Sequence, residues 1–180
     1  GVHPVRLLEG FEGRLLLADG GSEFNLAVRE LGLERAGCWS HLRRYFFEAR
    51  LYHDESALAL GTIRDLFLIE RGLQGRPPDE VLTVRQARSR PLVEGFFQWV
   101  QGLSTVVRPG SQLAKAVTYA RNQEEYMRLF LEHPQLPIHN NLSELMLRQP
   151  IVGRKNWLFA GSEGGAQAAC TVLTLIGSCM

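Results

Sequence analysis

Very little in this sequence commits it to one charge sign, one compartment or one bulk partner. Net charge is almost absent: 20 Lys+Arg against 19 Asp+Glu leave +1 over 180 residues. Bulk electrostatics therefore cannot hold the protein on DNA or anionic lipid, and any such binding has to come from local clusters. Cysteine is scarce. Cys38, Cys170 and Cys179 are scattered, show no paired metal-ligand spacing and follow no secretory leader, which implies a reduced, cytoplasmic setting. No apolar run reaches the roughly 20 residues that a spanning helix needs, so no membrane partner is expected; the nearest, AACTVLTLIGSCM from Ala168 to Met180, reads as a buried helix. A Ser, His and Asp set arranged for acyl transfer, a phosphate loop and a dinucleotide fingerprint are all missing. GSEGG, Gly161 to Gly165, opens a helix without following a strand, which makes it a poor phosphate cradle.

What is present is a hydrophobic content of 45%, enough for a substantial core in one domain with a subdomain. GRLLLADGG sets Leu15, Leu16 and Leu17 in a row before Asp19, Gly20 and Gly21. That pattern predicts a strand buried on both faces, ending in a turn with Asp19 at its carboxyl end. FNLAVRELGL follows with Phe24, Ala27, Val28 and Leu31 at helical spacing and Gly32 as the stop. ERAGCWSH is expected as a second strand, with Cys38 and Trp39 in its core, leading into the helix HLRRYFFEARLYH. Strand, helix, strand, helix implies a parallel pair joined by a crossover.

From Glu55 to about His133, apolar residues recur every three or four positions, the signature of a helical block, broken at QGRPPDE and RPGS. A short helix is expected from about Leu142 to Arg148, stopped by Pro150, and a last one from about Ala166 to Ile176. The chain opens without methionine and stops inside an apolar stretch, so it reads as an excerpt of a longer protein.

Three places carry candidate chemistry. Asp19, directly after a triple-leucine strand, needs a partner, a metal ion or solvent, because an unpaired buried carboxylate costs several kcal/mol; it is either a turn former before Gly-Gly or a metal ligand at a strand end, where open α/β sheets place their sites. Glu144 falls at the third position of a helix capped by Asn141, as in a capping box, a role compatible with ligation. The stretch from Leu145 to Phe159 contains no acid but holds Arg148, Arg154 and Lys155 together with Asn156 and Trp157. Cations neutralise phosphates and an indole stacks on an unpaired base, while a solvated turn anchored by Trp157 and Phe159 accounts for the same residues. In CWSHLRR, Cys38 and His41 lack a second ligand pair for structural zinc. His41 can still reach the site from the end of the second strand, and Arg43 and Arg44 can face phosphate, with Tyr45, Phe46 and Phe47 as packing.

PIHNNLSELMLRQPIVGRKNWLFAGSEGGAQAA resembles the end of the catalytic domain in transposases of the bacterial insertion sequence sixty-six family, through its Asn-Asn, glutamate and Gly-Arg-Lys-Asn-Trp-Leu-Phe signatures. GFEGRLLLADGGSEFN is similar to the family's segment carrying the second catalytic aspartate, and GCWSHLRRYFFEA to its Cys-Trp-x-His-x-Arg-Arg element. The resemblance implies a ribonuclease H-like α/β fold, mostly helical overall: a partial core at 1–54, a helical insertion at 55–135, and a return to the core with the glutamate helix at 136–180. It also implies an Asp, Asp, Glu triad holding two Mg²⁺ (or Mn²⁺) ions for in-line attack on a DNA phosphodiester. Asp19 then matches the second aspartate and Glu144 the glutamate, both as metal ligands, with Arg43, Arg44, Arg148, Arg154, Lys155, Asn156 and Trp157 toward DNA. The implied partners are transposon ends and target DNA, and a second copy in a homodimeric synaptic complex.

This chain departs from the family pattern at named positions. No aspartate occurs in residues 1–18, so the first ligand is not here and the chain alone is expected to be inactive. Gly21 replaces an expected tyrosine, Leu145 a frequent arginine, and His139 a frequent aspartate. The alternatives to a transposase catalytic fragment are an inactive relic retaining DNA binding and a helical interaction domain.

Overall fold

In a computed structural model the protein is described over residues 2–141, 143–145, 152 and 161–178, with side chains at 4–141, 143–145, 152 and 161–172. Two compact units divide the chain, residues 1–139 and 140–180.

The first unit begins with helix α1 (Val2–Leu7) and strand β1 (Leu15–Ala18); helix α2 (Asn25–Leu31) then leads to strand β2 (Glu34–Gly37). Gly32 ends α2 in the left-handed region, φ 62°, its N–H donating to the Val28 carbonyl, a conformation that side-chain-bearing residues rarely adopt. β1 and β2 pair in parallel with Leu15 opposite Glu34 and Ala18 opposite Gly37. Among the described residues these two strands form the whole sheet. Leu15, Leu16 and Leu17 are therefore half-buried rather than enclosed on both faces as their sequence suggests, because a two-stranded sheet covers little of either strand. At the other end of the register Gly37 lies so close to the following helices that a Cβ there would come within 2.8 Å of Met127 Cγ.

Helix α3 runs from Trp39 to Ala49. The strand expected through Cys38 and Trp39 ends at Gly37, and Trp39 opens the helix instead. Its indole N–H donates to the Met127 carbonyl at 3.1 Å, its backbone N–H to the Ile138 carbonyl at 2.9 Å, and its ring meets Phe96 edge-on at 5.6 Å. Three tertiary anchors outweigh the β-propensity of one aromatic residue.

The helical block follows as α4 (Glu55–Gly72), α5 (Pro78–Val84), α6 (Arg90–Leu103) and α7 (Gln112–Arg128). α4 buries Ser56, Ala59, Ile63 and Leu66, α6 buries Val93, Phe96, Phe97 and Val100, and α7 buries Leu113, Ala116, Val117, Ala120 and Met127. These stripes recur at three and four residues and close on Trp39, Leu42 and Phe46 to make one core with Phe130, Leu131 and Ile138. Burying each large side chain contributes about 1.5–3 kcal/mol.

A π-helical turn, Arg85–Ser89, joins α5 to α6. Pro91 explains it: a proline ring clashes with the carbonyl four residues back in a regular α-helix, and the wider turn just before it relieves the clash. The turn also carries Arg85, only 3% exposed. Its Nε and one Nη grip both carboxylate oxygens of Glu70 at 2.9 and 2.6 Å. The remaining N–H groups donate to the carbonyls of Phe130, His133 and Leu136 at 2.7 to 2.9 Å. All five guanidinium donors are thus used, and Arg85 fastens the segment that leaves α7.

In the second unit, residues 141 and 143–145 are helical, and a last helix runs Glu163–Ser178. Its expected burial is not found over its described side chains: Cys170 is exposed and Val172 is 54% exposed. No helix among the described residues is long and apolar enough to cross a membrane.

Candidate active site

The parallel register brings two sequence elements to one edge. Because Ala18 pairs with Gly37, the residues just beyond each strand, Asp19 on one and Cys38 through His41 on the other, emerge side by side. Asp19 Oδ1 accepts the Gly21 N–H at 3.3 Å, so the turn role expected of an aspartate before Gly-Gly is met. Oδ2 is left pointing toward His41, whose Nε2 stands 4.0 Å away. His41 is nearly enclosed in the first turn of α3, whereas the Asp19 side chain is 44% exposed. One carboxylate oxygen thus holds the loop and the other faces an imidazole and solvent.

Sequence reasoning did not single out the residues that support this loop. Arg35 on β2 is 6% exposed and donates to Gln123 Oε1 at 2.7 Å, to Asn25 Oδ1 at 2.9 Å and to the Gly21 carbonyl at 3.4 Å. Its guanidinium carbon lies 4.0 Å from the Tyr126 ring centroid. All these partners are neutral, and they tie the turn after Asp19 to α2 and α7. Gly20 fits against α7 so closely that a Cβ there would meet Tyr119 Cε2 at 2.7 Å. The Tyr119 phenol is pushed up to about 12, mainly by burial, with the Gly20 backbone opposing and Cys38, Tyr45 and Asp19 adding to the rise. It therefore remains a neutral hydroxyl throughout the physiological range. The available signal is polar Tyr119 and Gln123, four apart on a helix whose buried face is otherwise leucine, alanine, valine and methionine.

Glu144 belongs to the second unit. Its N–H donates to the Asn140 carbonyl at 3.1 Å, so the helix starts one residue before the expected Asn141 cap and Glu144 sits one position deeper. Its side chain is exposed. Arg43 and Arg44 are exposed on α3, Arg43 lying 5.5 Å over the Phe47 ring. Tyr45 is half-buried, Phe46 buried and Phe47 exposed, so two of the three expected packing aromatics serve that purpose. Arg148, Arg154, Lys155, Asn156 and Trp157 lie outside the described residues.

Asp19 offers a hard oxygen of the kind Mg²⁺ and Mn²⁺ prefer. Among the described residues no three His, Cys, Asp or Glu side chains gather into a metal-binding group, and Asp19 and His41 do not make one by themselves.

The Transposase IS66 family profile matches residues 1–168. Three proteins of Sinorhizobium fredii (strain NBRC 101917 / NGR234) are similar along nearly the whole chain. Uncharacterized protein y4hP is 32% identical over 197 residues, covering 99% of this chain and 36% of the relative. Uncharacterized protein y4qI is 33% identical, covering 97% and 34%, and uncharacterized protein y4jD is 27% identical, covering 96% and 35%. The chain spans about a third of the length of these relatives. No solved structure matches it. A family match over residues 1–168, on a chain whose parallel strands bring Asp19 beside the Cys-Trp-Ser-His element, identifies this chain as a member of the Transposase IS66 family.

Proposed function

We propose that the chain is the carboxyl-terminal part of a DDE transposase catalytic domain that cleaves DNA at insertion-sequence ends and joins it to target DNA. In this reading the fold is ribonuclease H-like, with residues 1–54 and 136–180 contributing to the core and 55–135 inserted between them. The supporting observation is the half-exposed Asp19 carboxylate just past a parallel strand, Oδ2 directed at His41, in a chain of this family.

Asp19 and Glu144 would hold Mg²⁺ or Mn²⁺, and the chemistry of their carboxylates fits a hard cation. The bound metal supplies an activated water or 3′-hydroxyl and neutralises charge on the phosphate under attack. Gly21 N–H fixes one Asp19 oxygen and leaves the other to point outward. His41, enclosed beside it, limits how the carboxylate can turn. Arg43 and Arg44, with Arg148, Arg154 and Lys155, draw the DNA backbone in as point charges, and Asn156 and Trp157 add polar and stacking contacts. The protein works in the cytoplasm as a homodimer that holds two DNA ends.

The test is strand cleavage by the complete protein. Asp19→Asn and Glu144→Gln each abolish cleavage and leave DNA affinity near its starting value; cleavage retained by either variant removes that residue from the site. An inactive relic would show DNA binding with no cleavage in the parent protein either.

A further inference from the structure

Beside the Asp19 loop, on the other side of Tyr119, lies a cleft of about 670 Å³ between α3, α7 and the turn that joins α6 to α7. It opens broadly to solvent, so an occupant would rest against its wall and not be enclosed. One wall is a pair of stacked rings, Tyr45 and Tyr119, with centroids 4.3 Å apart and planes 23° from parallel. The rim carries Lys115, Thr118, Asn122 and Ser104, and none of the ten lining residues is acidic. We propose that this cleft takes a single unpaired nucleotide of the DNA, its base extending the Tyr45–Tyr119 stack and its phosphate toward Lys115. This inference rests on the transposase reading and deepens it.

The chemistry of the lining selects this occupant. A duplex backbone is held by a row of cations, and the cleft lining has one lysine and no arginine, so it makes a poor phosphate rail. An aromatic wall with amide, hydroxyl and ammonium groups at its rim is what an unstacked base requires, since every base has a π-face and a polar edge. Gly110, at φ 79°, turns the chain from α6 into α7. The Ser111 hydroxyl caps α7 by accepting the Ala114 N–H at 3.0 Å. Ala114 and Lys115 thus stand in the first turn of a 17-residue helix, where the helix dipole favours an anion. Position favours a nucleotide next to the scissile bond: Tyr119 touches the cleft on one side and Gly20, the neighbour of Asp19, on the other.

The experiment uses the complete transposase and two DNA probes of one sequence, a short single strand carrying a central 2-aminopurine and its duplex. Stacking quenches the probe. The expected result is strong quenching on single-strand binding. In Tyr45→Leu and in Lys115→Ala, the single-strand to duplex affinity ratio falls about tenfold, as one stacked base and one phosphate contact imply. Tyr45→Phe restores the ratio. Lys115 is exposed, so its variant folds even where Tyr45→Leu does not. Duplex binding with an unchanged ratio and undiminished quenching in Lys115→Ala overturns the cleft and leaves the transposase reading standing. Failure of the parent protein to bind either probe at low salt overturns both.

Discussion

Two buried arginines in the first unit solve the same problem in opposite ways. Arg85 meets the Glu70 carboxylate with two donors and three carbonyls with the rest, so its charge is balanced and every N–H is satisfied. Arg35 meets an amide oxygen from Gln123, one from Asn25, a carbonyl and a ring. Its Nε has no hydrogen-bond partner among the described residues. The first arrangement is a brace, indifferent to what binds nearby. The second meets no carboxylate among the described residues, in the support of the Asp19 turn. Both arginines tie distant segments together, one through an ion pair and one through neutral partners.

The largest effect should come from breaking the brace. Arg85→Met strands a nearly buried Glu70 and three carbonyls, and should cost about 3–5 kcal/mol in denaturant unfolding. Adding Glu70→Leu should recover most of the loss, because two apolar groups replace a desolvated pair. An unmoved midpoint in the single variant would contradict the brace. Arg35→Met strands no carboxylate and should cost less, about 1–3 kcal/mol for unsatisfied amides; a loss equal to that of Arg85→Met would erase the distinction between the two. Gly20→Ala sharpens the comparison at the site itself. The new Cβ must push Tyr119 aside, with a penalty of about 1 kcal/mol, and pairing it with Tyr119→Leu should relieve the clash. If the double variant melts lower than both singles, Gly20 is not held by that ring.

The smallest effect is alkaline. The Tyr119 pKa is raised from 10.0 to about 12, so the folded state keeps a proton that the unfolded chain releases first. The associated stability is fully present below pH 10 and is lost as pH rises from 10 through 12. Phenolate absorbance should show an ionisation near 12 that disappears in Tyr119→Phe; an unchanged titration would place the late step elsewhere.

Much of the architecture could be read from residue patterns, because hydrophobic period and glycine punctuation are local signals. The parallel strands, the stop at Gly32 and the helical block from Glu55 onward rest on such signals. Asp19 and His41 could be expected at one edge because both follow strands. Trp39 opens a helix where its local pattern suggests a strand because its place is decided by contacts with Met127, Ile138 and Phe96, far away in sequence. Arg85 and Arg35 gave no sign of burial, since a cation in a helical or strand segment reads as surface unless its distant partners are known. The Glu144 helix start shifted by one residue because Asn140 and Asn141 are both good caps.

Localised oxidation tests most directly the proposal that Asp19 and Glu144 hold metal together. Fe²⁺ replacing Mg²⁺ in the complete transposase, with ascorbate and peroxide, should cut the polypeptide beside both Asp19 and Glu144, and excess Mg²⁺ should suppress the two cuts together. Cutting near one of these residues and not the other, or cuts that ignore added Mg²⁺, would contradict it.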